Sequence, residues 1–312
     1  MRVIFFGTPS FAADHLKALV EANVEVVAIV TKPDRPQGRS LRLQPTAVKV
    51  VAQQLLPEVP IFQPEKCSTP DFIEILARYS ADLYVVVAYG EIIKQAVLDL
   101  PRLGCINVHA SLLPRYRGAA PIQRALIHGE HETGISIIKL VLKMDAGDVI
   151  AEEKIPITSN MIFKDLEEQL CQVGCRVLLR VIADYEKGCV VAVAQDESKV
   201  SFANKITTNE CKIDWNQSAL TIHNLIRGLS PHPGAWCEVT VHDQKKRLKI
   251  LRSQYDPTIM QKPGMFILNQ NGKNGFWVAC GEGGILLEQV QLEGKQVMPI
   301  HELLKGTPLC FQ

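Results

Sequence analysis

The stretch Leu83-Tyr-Val-Val-Val-Ala88 indicates the fold, because its side chains are apolar almost without interruption. A continuous apolar run of this length is typical of a strand that is buried on both faces of a sheet. Two similar runs precede it, at Arg2 to Phe6 and at Glu25 to Val30. Between those two runs, Pro9 to Ala22 carries apolar residues at helical spacing and predicts a helix.

The same alternation continues along the chain. Gly104 to Val108 and Ile135 to Leu140 are predicted strands, and Gly118 to His128 and Met161 to Lys187 are predicted helices. Alternating strands and helices predict an α/β fold with a Rossmann-like, mostly parallel sheet covered on both faces. Because ligands of such sheets bind beyond the carboxyl ends of the strands, the loops after Val30, Ala88 and Val108 are expected to meet around a site.

The character of the chain changes after residue 193. Residues 194–205 are polar and have no clear period, so they are the predicted linker. Residues 206–312 contain a predicted helix at Ser218 to Arg227 and several short apolar runs between glycines and prolines. This pattern predicts a small antiparallel β-barrel of the OB type, which follows an α/β domain formed by residues 1–193.

The composition of the chain limits the classes of protein to which it can belong. The chain of 312 residues is 47% hydrophobic and has a formal net charge of +1, which is unlike a disordered protein and gives no overall basic footprint. Its longest apolar runs are too short for a signal peptide core or a membrane span. The expected location is therefore the cytoplasm.

The nine cysteines are scattered, and none forms a Cys-x-x-Cys pair. Cys171 and Cys175 lie four residues apart in a predicted helix and so share a face, for which core packing is the favoured interpretation. Neither a disulfide framework nor a zinc site is expected. The predicted protein is reduced and metal-free.

Two polar residues at the end of a predicted strand suggest acyl transfer chemistry. Asn107 and His109 lie two apart and project to the same side of the strand. An asparagine can donate to an oxygen that gains negative charge, and a histidine can move a proton near neutral pH. Either residue alone is more often a turn or cap residue. Similarly, Asp145 opens the acidic turn Asp145-Ala-Gly-Asp148, which by itself indicates only a solvated turn.

The run Asn107-Val-His-Ala-Ser-Leu-Leu-Pro-Arg-Tyr-Arg-Gly-Ala-Ala-Pro-Ile-Gln123 closely resembles the signature of the 10-formyltetrahydrofolate-dependent formyltransferases. The resemblance spans the whole chain. It includes Val3 to Pro9, Lys32 to Gly38, Met144 to Ile150 and Ile226 to Ala235. The central motif is highly specific, whereas the opening Gly7-Thr-Pro is weak on its own.

The resemblance implies roles for individual residues. Asn107, His109 and Asp145 would form the catalytic trio: Asn107 bonds the formyl oxygen, His109 assists it, and Asp145 orients His109 and helps to deprotonate the attacking amine. The co-substrate would be 10-formyltetrahydrofolate, and no metal would be required. Its pocket would be formed by Ser111, Leu112, Leu113 and Pro114, together with backbone from Ala88, Tyr89 and Gly90.

The implied acceptor is the amine of charged initiator methionyl-tRNA. Residues 31–50 carry five basic side chains against Asp34, and residues 245–252 carry five basic side chains and no acid. Such runs can neutralise phosphates, although a solvated face is the usual interpretation. The expected tRNA contacts are Arg35, Arg39, Arg42, Lys245, Lys246 and Arg247. The loop Gly38-Arg-Ser-Leu-Arg42 is less lysine-rich than in many relatives. The protein is expected to be a monomer.

Three other interpretations are open. A formyltransferase acting on a sugar-nucleotide or purine-pathway amine would use the same chemistry, but residues 206–312 are too few for a second dehydrogenase domain and superfluous for a purine-type enzyme. A nicotinamide dehydrogenase is disfavoured, because the first turn, Gly7-Thr-Pro-Ser10, has no Gly-x-Gly-x-x-Gly motif. A non-catalytic tRNA-binding protein would not need Asn107, His109 and Asp145.

Overall fold

The computed structural model describes residues 1–37, 42–270, 273–307 and 310–311. The chain divides into two compact units. The first contains Met1–Gly118, Thr133–Ile155 and Glu167–Phe202, and the second contains Ala119–Glu132, Pro156–Leu166 and Ala203–Gln312. Within the described residues, no helix is both long and apolar enough to cross a membrane.

A seven-stranded mixed sheet forms the centre of the first unit. In chain order, its strands are β1 (Arg2–Gly7), β2 (Glu25–Val30), β5 (Ile61–Phe62), β6 (Leu83–Val87), β7 (Cys105–His109), β8 (Glu132–Lys139) and β9 (Val149–Pro156). Their order in the sheet is β5-β2-β1-β6-β7-β8-β9. The strands from β5 to β7 pair in parallel, and β8 pairs antiparallel with β7. A separate hairpin joins β3 (Arg35–Gln37) to β4 (Arg42–Gln44).

Helices lie between these strands along the chain, and a further helix follows β9. They are α1 (Ser10–Glu21), α2 (Ala47–Leu55), α3 (Pro70–Ala77), α4 (Gln95–Leu98), α5 (Pro121–Ile127) and α6 (Phe163–Glu186). Local signals explain where two of them begin. The Thr46 side chain accepts a hydrogen bond from the Lys49 backbone and so caps α2, and Pro70 occupies the first turn of α3, where its missing N–H costs nothing.

An antiparallel sheet forms most of the second unit. Its strands are β10 (Ala235–Val241), β11 (Gln244–Asp256), β12 (Phe266–Gln270), β13 (Lys273–Ala279), β14 (Gly284–Leu292), β15 (Met298–Pro299) and β16 (Cys310–Phe311). Their order is β12-β13-β14-β11-β10-β16, and β15 pairs with β14. Helices α7 (Ala219–Leu229) and α8 (Ile300–Gly306) contribute Ile222, Ile226 and Leu303 to the apolar core of this sheet.

These two architectures confirm the predicted fold class, a Rossmann-like α/β domain followed by a small barrel-like β domain. The apolar sequence from Cys189 to Val193 could also suggest a strand, but in this segment only Val193 forms a bridge, an isolated one with Val149. Residues 31–50, expected as a loop, contain the β3–β4 hairpin and the start of α2. The boundaries 1–193, 194–205 and 206–312 stay a prediction.

Candidate active site

Strand β7 carries the two polar residues of the predicted catalytic pair. Asn107 lies beside Val86 of β6 and Ile138 of β8, and His109 lies beside Ser136. Because strand side chains alternate between faces, Asn107 and His109 project to the same side. His109 is 5% exposed, and Asn107 is half-buried with no hydrogen bond to its carboxamide among the described residues. The amide of Asn107 is therefore available to a ligand.

The hydrogen bonding of His109 determines which of its nitrogens can act. Its Nε2 lies 2.9 Å from the carbonyl oxygen of Tyr116. Since a carbonyl oxygen can only accept, Nε2 carries a proton and donates it. The other nitrogen, Nδ1, lies 3.7 Å from Oδ2 of Asp145. That separation is too long for a direct hydrogen bond, and it leaves Nδ1 and the carboxylate close enough to share a proton through a water or a substrate group.

Asp145 is held by its backbone and by its side chain. Its φ angle of 51° lies in the left-handed region, which aspartate tolerates better than most residues. Its Oδ2 accepts a hydrogen bond of 2.8 Å from the backbone N–H of Gly118. Gly118, a residue of the signature motif, thus fixes the carboxylate that faces His109.

A half-buried glutamine, Gln195, fixes the turn that carries Asp145. Nε2 of Gln195 donates to the carbonyl oxygens of Asp145 (2.8 Å) and Gly147 (2.7 Å). Arg117 holds that glutamine in turn, because its Nε and Nη2 both donate to Oε1 of Gln195, at 3.0 and 2.7 Å. The Arg117 side chain is 1% exposed. We call Arg117, Gln195 and the turn from Asp145 to Gly147 the glutamine clamp.

Other residues of the predicted linker also contact the site. The Arg117 guanidinium and the Lys143 ammonium each lie 2.7 Å from Glu197, and together they lower the pKa of Glu197 to about 2. Ser201 accepts hydrogen bonds of 2.9 Å from the backbone N–H groups of Tyr116 and Arg117. The contacts of Gln195, Glu197 and Ser201 with the site were not predicted from the sequence, because polar residues in an aperiodic segment give no indication of what they contact.

The predicted folate-pocket segment is fixed by strand β8. The Ser136 hydroxyl donates to the carbonyl of Ser111 (2.8 Å), and its oxygen accepts from the backbone N–H of Leu113 (3.1 Å). Ser111 and Leu113 are buried, whereas Leu112 and Pro114 are half-buried. Ser136 also lies beside His109, so this segment begins next to the candidate catalytic residues.

The predicted pterin-binding loop follows the strand next to β7. Ala88 and Gly90 are exposed and have φ angles of 44° and 85°, so their backbone groups turn outward in a conformation that alanine rarely adopts. Between them, Tyr89 is buried, and its carbonyl accepts a hydrogen bond of 2.9 Å from the Thr8 hydroxyl. Lys32 binds Glu91 at 2.6 Å, so the loops after β2 and β6 meet, as expected.

The expected basic residues divide into two sets. Arg35 is exposed and pairs with Glu65 at 2.7 Å, while Arg39 and the side chain of Arg42 lie outside the described residues. On β11 of the second unit, Lys245 and Arg247 are exposed, whereas Lys246 is half-buried and projects to the opposite face.

An aromatic ring extends the face that Lys245 and Arg247 share. The guanidinium of Arg247 lies 4.3 Å from the centre of the Trp236 ring, and the ammonium of Lys212 lies 5.5 Å from it. Glu238 binds Lys212 at 3.1 Å, so one acidic group tempers this face. The face remains predominantly positive.

The geometry of the first unit therefore supports one kind of chemistry. A half-buried amide donor and a buried imidazole project to the same side of β7 near its carboxyl end, and a fixed carboxylate lies 3.7 Å from the imidazole. An amide donor can stabilise an oxyanion, and an imidazole beside a carboxylate can move a proton. These groups are the ones required to catalyse attack of a nucleophile on a carbonyl carbon.

Comparisons with known proteins agree with that chemistry. The family model for formyl transferase matches residues 1–182, and the model for the formyl transferase C-terminal domain matches residues 205–308. The methionyl-tRNA formyltransferase of Protochlamydia amoebophila (strain UWE25) is 49% identical over 98% of this chain and 95% of its own length. That of Rhodopseudomonas palustris (strain ATCC BAA-98 / CGA009) is 40% identical over 99% and 97%.

Among solved structures, HypX from Aquifex aeolicus in complex with tetrahydrofolic acid superposes with a TM-score of 0.65 and 17% identity. The match covers 97% of this chain and 47% of HypX, so the chain spans about half the length of that protein. At this identity the likeness supports the fold alone.

Proposed function

The chain belongs to the methionyl-tRNA formyltransferases, and from that premise we propose that Asn107, His109 and Asp145 are its catalytic residues. The reaction moves a formyl group from 10-formyltetrahydrofolate to the free amine of methionyl-tRNA. One carbon–nitrogen bond forms at the methionyl amine and one breaks at N10 of the folate. One proton passes from the amine to N10, so the proposed residues must stabilise an oxyanion and handle a single proton.

Asn107 is the proposed oxyanion donor. Attack of the amine converts the formyl oxygen into an oxyanion, and a positioned amide donor stabilises this charge more than it stabilises the neutral carbonyl. The carboxamide of Asn107 is half-buried and makes no hydrogen bond to any described residue, which supports this role. Its place on β7 between two paired strands holds it still, so little reorganisation accompanies the reaction.

His109 and Asp145 are the proposed proton-handling pair. The bond from Nε2 to Tyr116 leaves Nδ1 facing the Asp145 carboxylate, as a general acid–base pair requires. As the amine attacks, it becomes more acidic, and the pair accepts its proton. The same pair then returns the proton to the departing N10, which completes the balance.

The backbone around the site supports the folate assignment. We assign the co-substrate pocket to Ser111, Leu112, Leu113 and Pro114, and to backbone groups of Ala88, Tyr89 and Gly90. A pterin ring carries hydrogen-bonding groups along its edge, and the outward-turned backbone at Ala88 and Gly90 offers complementary partners. The half-buried Leu112 and Pro114 provide apolar surface for its rings.

Basic side chains in both units are the proposed tRNA contacts: Arg35, Arg39 and Arg42 in the first, and Lys245, Lys246 and Arg247 in the second. The exposed positions of Lys245 and Arg247 beside Trp236 support a phosphate-binding face. Arg35 is free to exchange partners, because an exposed ion pair such as that with Glu65 contributes only about 0–1 kcal/mol. We further propose that residues 206–312 bind tRNA and that the protein is a cytoplasmic monomer.

The deciding experiment measures formyl transfer from 10-formyltetrahydrofolate to charged initiator methionyl-tRNA in the wild type and in Asn107→Ala. Loss of one oxyanion donor is expected to lower kcat by about 10²- to 10³-fold with folate affinity retained. Asn209→Ala, which changes an exposed asparagine of the second unit, is the matched control. Retention of kcat in Asn107→Ala would reject the oxyanion assignment, and wild-type protein that binds folate without formylating the tRNA would reject this acceptor.

A further inference from the structure

A second cluster of reactive side chains lies in the first unit, between α1 and α6. A ring nitrogen of His15 and the sulfur atoms of Cys171 and Cys175 lie within 4.8 Å of one another, and the Cys171 sulfur is 3.9 Å from Nδ1 of His15. Oδ2 of the neighbouring Asp14 is 3.6 Å from the Cys171 sulfur. None of these four side chains bonds to Asn107, His109 or Asp145 among the described residues, so the proposed transfer chemistry leaves the cluster unexplained.

The two helices are built to bring these groups together. Cys171 and Cys175 are one turn apart on α6 and share a face. Gly174 lies on the same face, and a side-chain carbon there would come within 2.5 Å of Nε2 of His15. The missing side chain therefore lets the imidazole approach α6 beside the two cysteines. Any larger residue would force the ring away.

The hydrogen bonding of His15 is that of a metal ligand. Its Nδ1 lies 2.7 Å from the carbonyl oxygen of Phe11 and must donate to it. In the neutral ring, Nε2 then holds an unshared electron pair. This nitrogen is fully buried and has no hydrogen-bond partner among the described residues. Metal-binding histidines usually donate their other ring N–H to a backbone carbonyl or a carboxylate in this way, and an unpaired buried nitrogen is otherwise costly.

The spacing of the donor atoms also suits a metal. Bonds of about 2.0 to 2.3 Å place neighbouring ligand atoms of a tetrahedral zinc site about 3.3 to 3.8 Å apart. The separation between Cys171 and Asp14 already falls in this range, and the donor atoms of His15, Cys171 and Cys175 lie within 4.8 Å of one another. Asp14 is exposed and Cys175 is half-buried, so a cation can enter from solvent.

We propose that Cys171, Cys175, His15 and Asp14 form a structural site for a zinc-class divalent cation that joins α1 to α6. Two thiolates and an imidazole select zinc over magnesium or calcium, which prefer oxygen ligands. Binding releases the two thiol protons to solvent. This inference replaces the expectation from sequence that Cys171 and Cys175 merely pack in the core. It stands independently of the proposed function.

The test titrates reduced, metal-depleted full-length protein with Co²⁺, whose absorption reports tetrahedral thiolate ligation. We expect one equivalent to produce sulfur-to-cobalt charge-transfer absorption and strong d–d bands, which one equivalent of Zn²⁺ then removes. Cys175→Ser, at a half-buried position, is expected to weaken binding by more than about 100-fold, because loss of even an outer-shell partner costs 10- to 100-fold. Cys189→Ser, which removes an exposed thiol outside the cluster, is the matched control and should bind like the wild type.

A second measurement needs no variant. In the wild-type protein, Zn²⁺ should protect Cys171 and Cys175 from alkylation while Cys189 reacts at an unchanged rate, as resolved by peptide mass spectrometry. Absence of the charge-transfer absorption, or equal Co²⁺ affinity in Cys175→Ser and Cys189→Ser, would overturn the proposal. The proposal would also be overturned if Zn²⁺ left the alkylation rates of Cys171 and Cys175 unchanged, as it is expected to leave that of Cys189.

Discussion

The glutamine clamp of the first unit and the basic strand β11 of the second differ in how their polar groups are held. In the clamp, Arg117 is 1% exposed, and Gln195 uses both ends of its amide on defined partners. On β11, Lys245 and Arg247 are exposed, and the Arg247 guanidinium lies over the face of the Trp236 ring. One region is fixed and the other is adaptable.

This difference matches the two tasks of the enzyme. Catalysis needs groups within a fraction of an ångström of their working positions, which buried hydrogen-bond networks provide. Binding to a phosphate backbone needs charge without fixed geometry and depends on salt. Changes in the clamp region should therefore alter kcat with little dependence on salt, and changes on β11 should alter KM and its salt dependence.

The largest effect is expected from Asp145→Asn. The amide can still accept the hydrogen bond from Gly118, so the turn is retained, but it can no longer take a proton. Loss of general acid–base catalysis is expected to lower kcat by about 10²- to 10⁴-fold at every salt concentration. Asp148→Asn, in the same turn, is the matched control and should retain activity. The test is steady-state kinetics of both variants at two ionic strengths. Equal losses of kcat in Asp145→Asn and Asp148→Asn would show that the negative charge of the turn, and not a proton transfer at Asp145, supports activity.

A smaller effect is expected from Gln195→Ala, which removes the donor to the Asp145 turn but leaves the three proposed catalytic side chains unchanged. The carbonyls of Asp145 and Gly147 lose their donor, and unmet buried groups of this kind cost about 1–3 kcal/mol in the free energy of unfolding. We expect kcat to fall about tenfold, equivalent to about 1.4 kcal/mol of lost positioning.

Thermal unfolding and kinetics should be measured together for that variant. Gln53→Ala, at an exposed position of α2, controls for the loss of a glutamine. A lower melting temperature with unchanged kcat would mean that the clamp stabilises the fold without positioning Asp145.

The smallest effect is expected from neutral substitutions on β11. Arg247→Gln should raise the KM for tRNA a few-fold and reduce the slope of log K against log salt by about 1, because one phosphate contact is lost. Lys262→Gln is the matched control, since it removes an exposed basic side chain of the second unit that is not among the proposed tRNA contacts. Matching changes in the two variants would show that net charge, and not the face beside Trp236, determines the affinity.

The sequence predicted the parts of the molecule that local pattern encodes. The buried strands β1, β2 and β6 read as uninterrupted apolar runs, and β7 was placed to within one residue, so that Asn107 and His109 were correctly expected on one face. Helices α2 and α3 were overlooked although Thr46 and Pro70 mark their starts. The hairpin of β3 and β4 was hidden by Pro36, because proline within a strand removes a ladder donor.

Long-range hydrogen bonds account for what the sequence did not predict. Gln195 reaches a turn 50 residues earlier, and His15 meets Cys171 across 156 residues of chain. Each partner alone is unremarkable in its own segment, and only the packed structure makes the pair. The roles of Asn107, His109 and Asp145 came from the resemblance to the formyltransferases, and they stay predictions until the variants are measured.

The position of Gln195 has a consequence for dividing the protein in the laboratory. A fragment cut at the end of the predicted catalytic domain, after Val193, would exclude Gln195, Glu197 and Ser201 and leave the buried guanidinium of Arg117 without the two side chains that hold it. Chimaeras that exchange carboxyl-terminal domains between relatives should therefore place the junction after Phe202. A junction at the start of the predicted linker, before Gln195, would remove the side chains that hold Arg117 and the Asp145 turn.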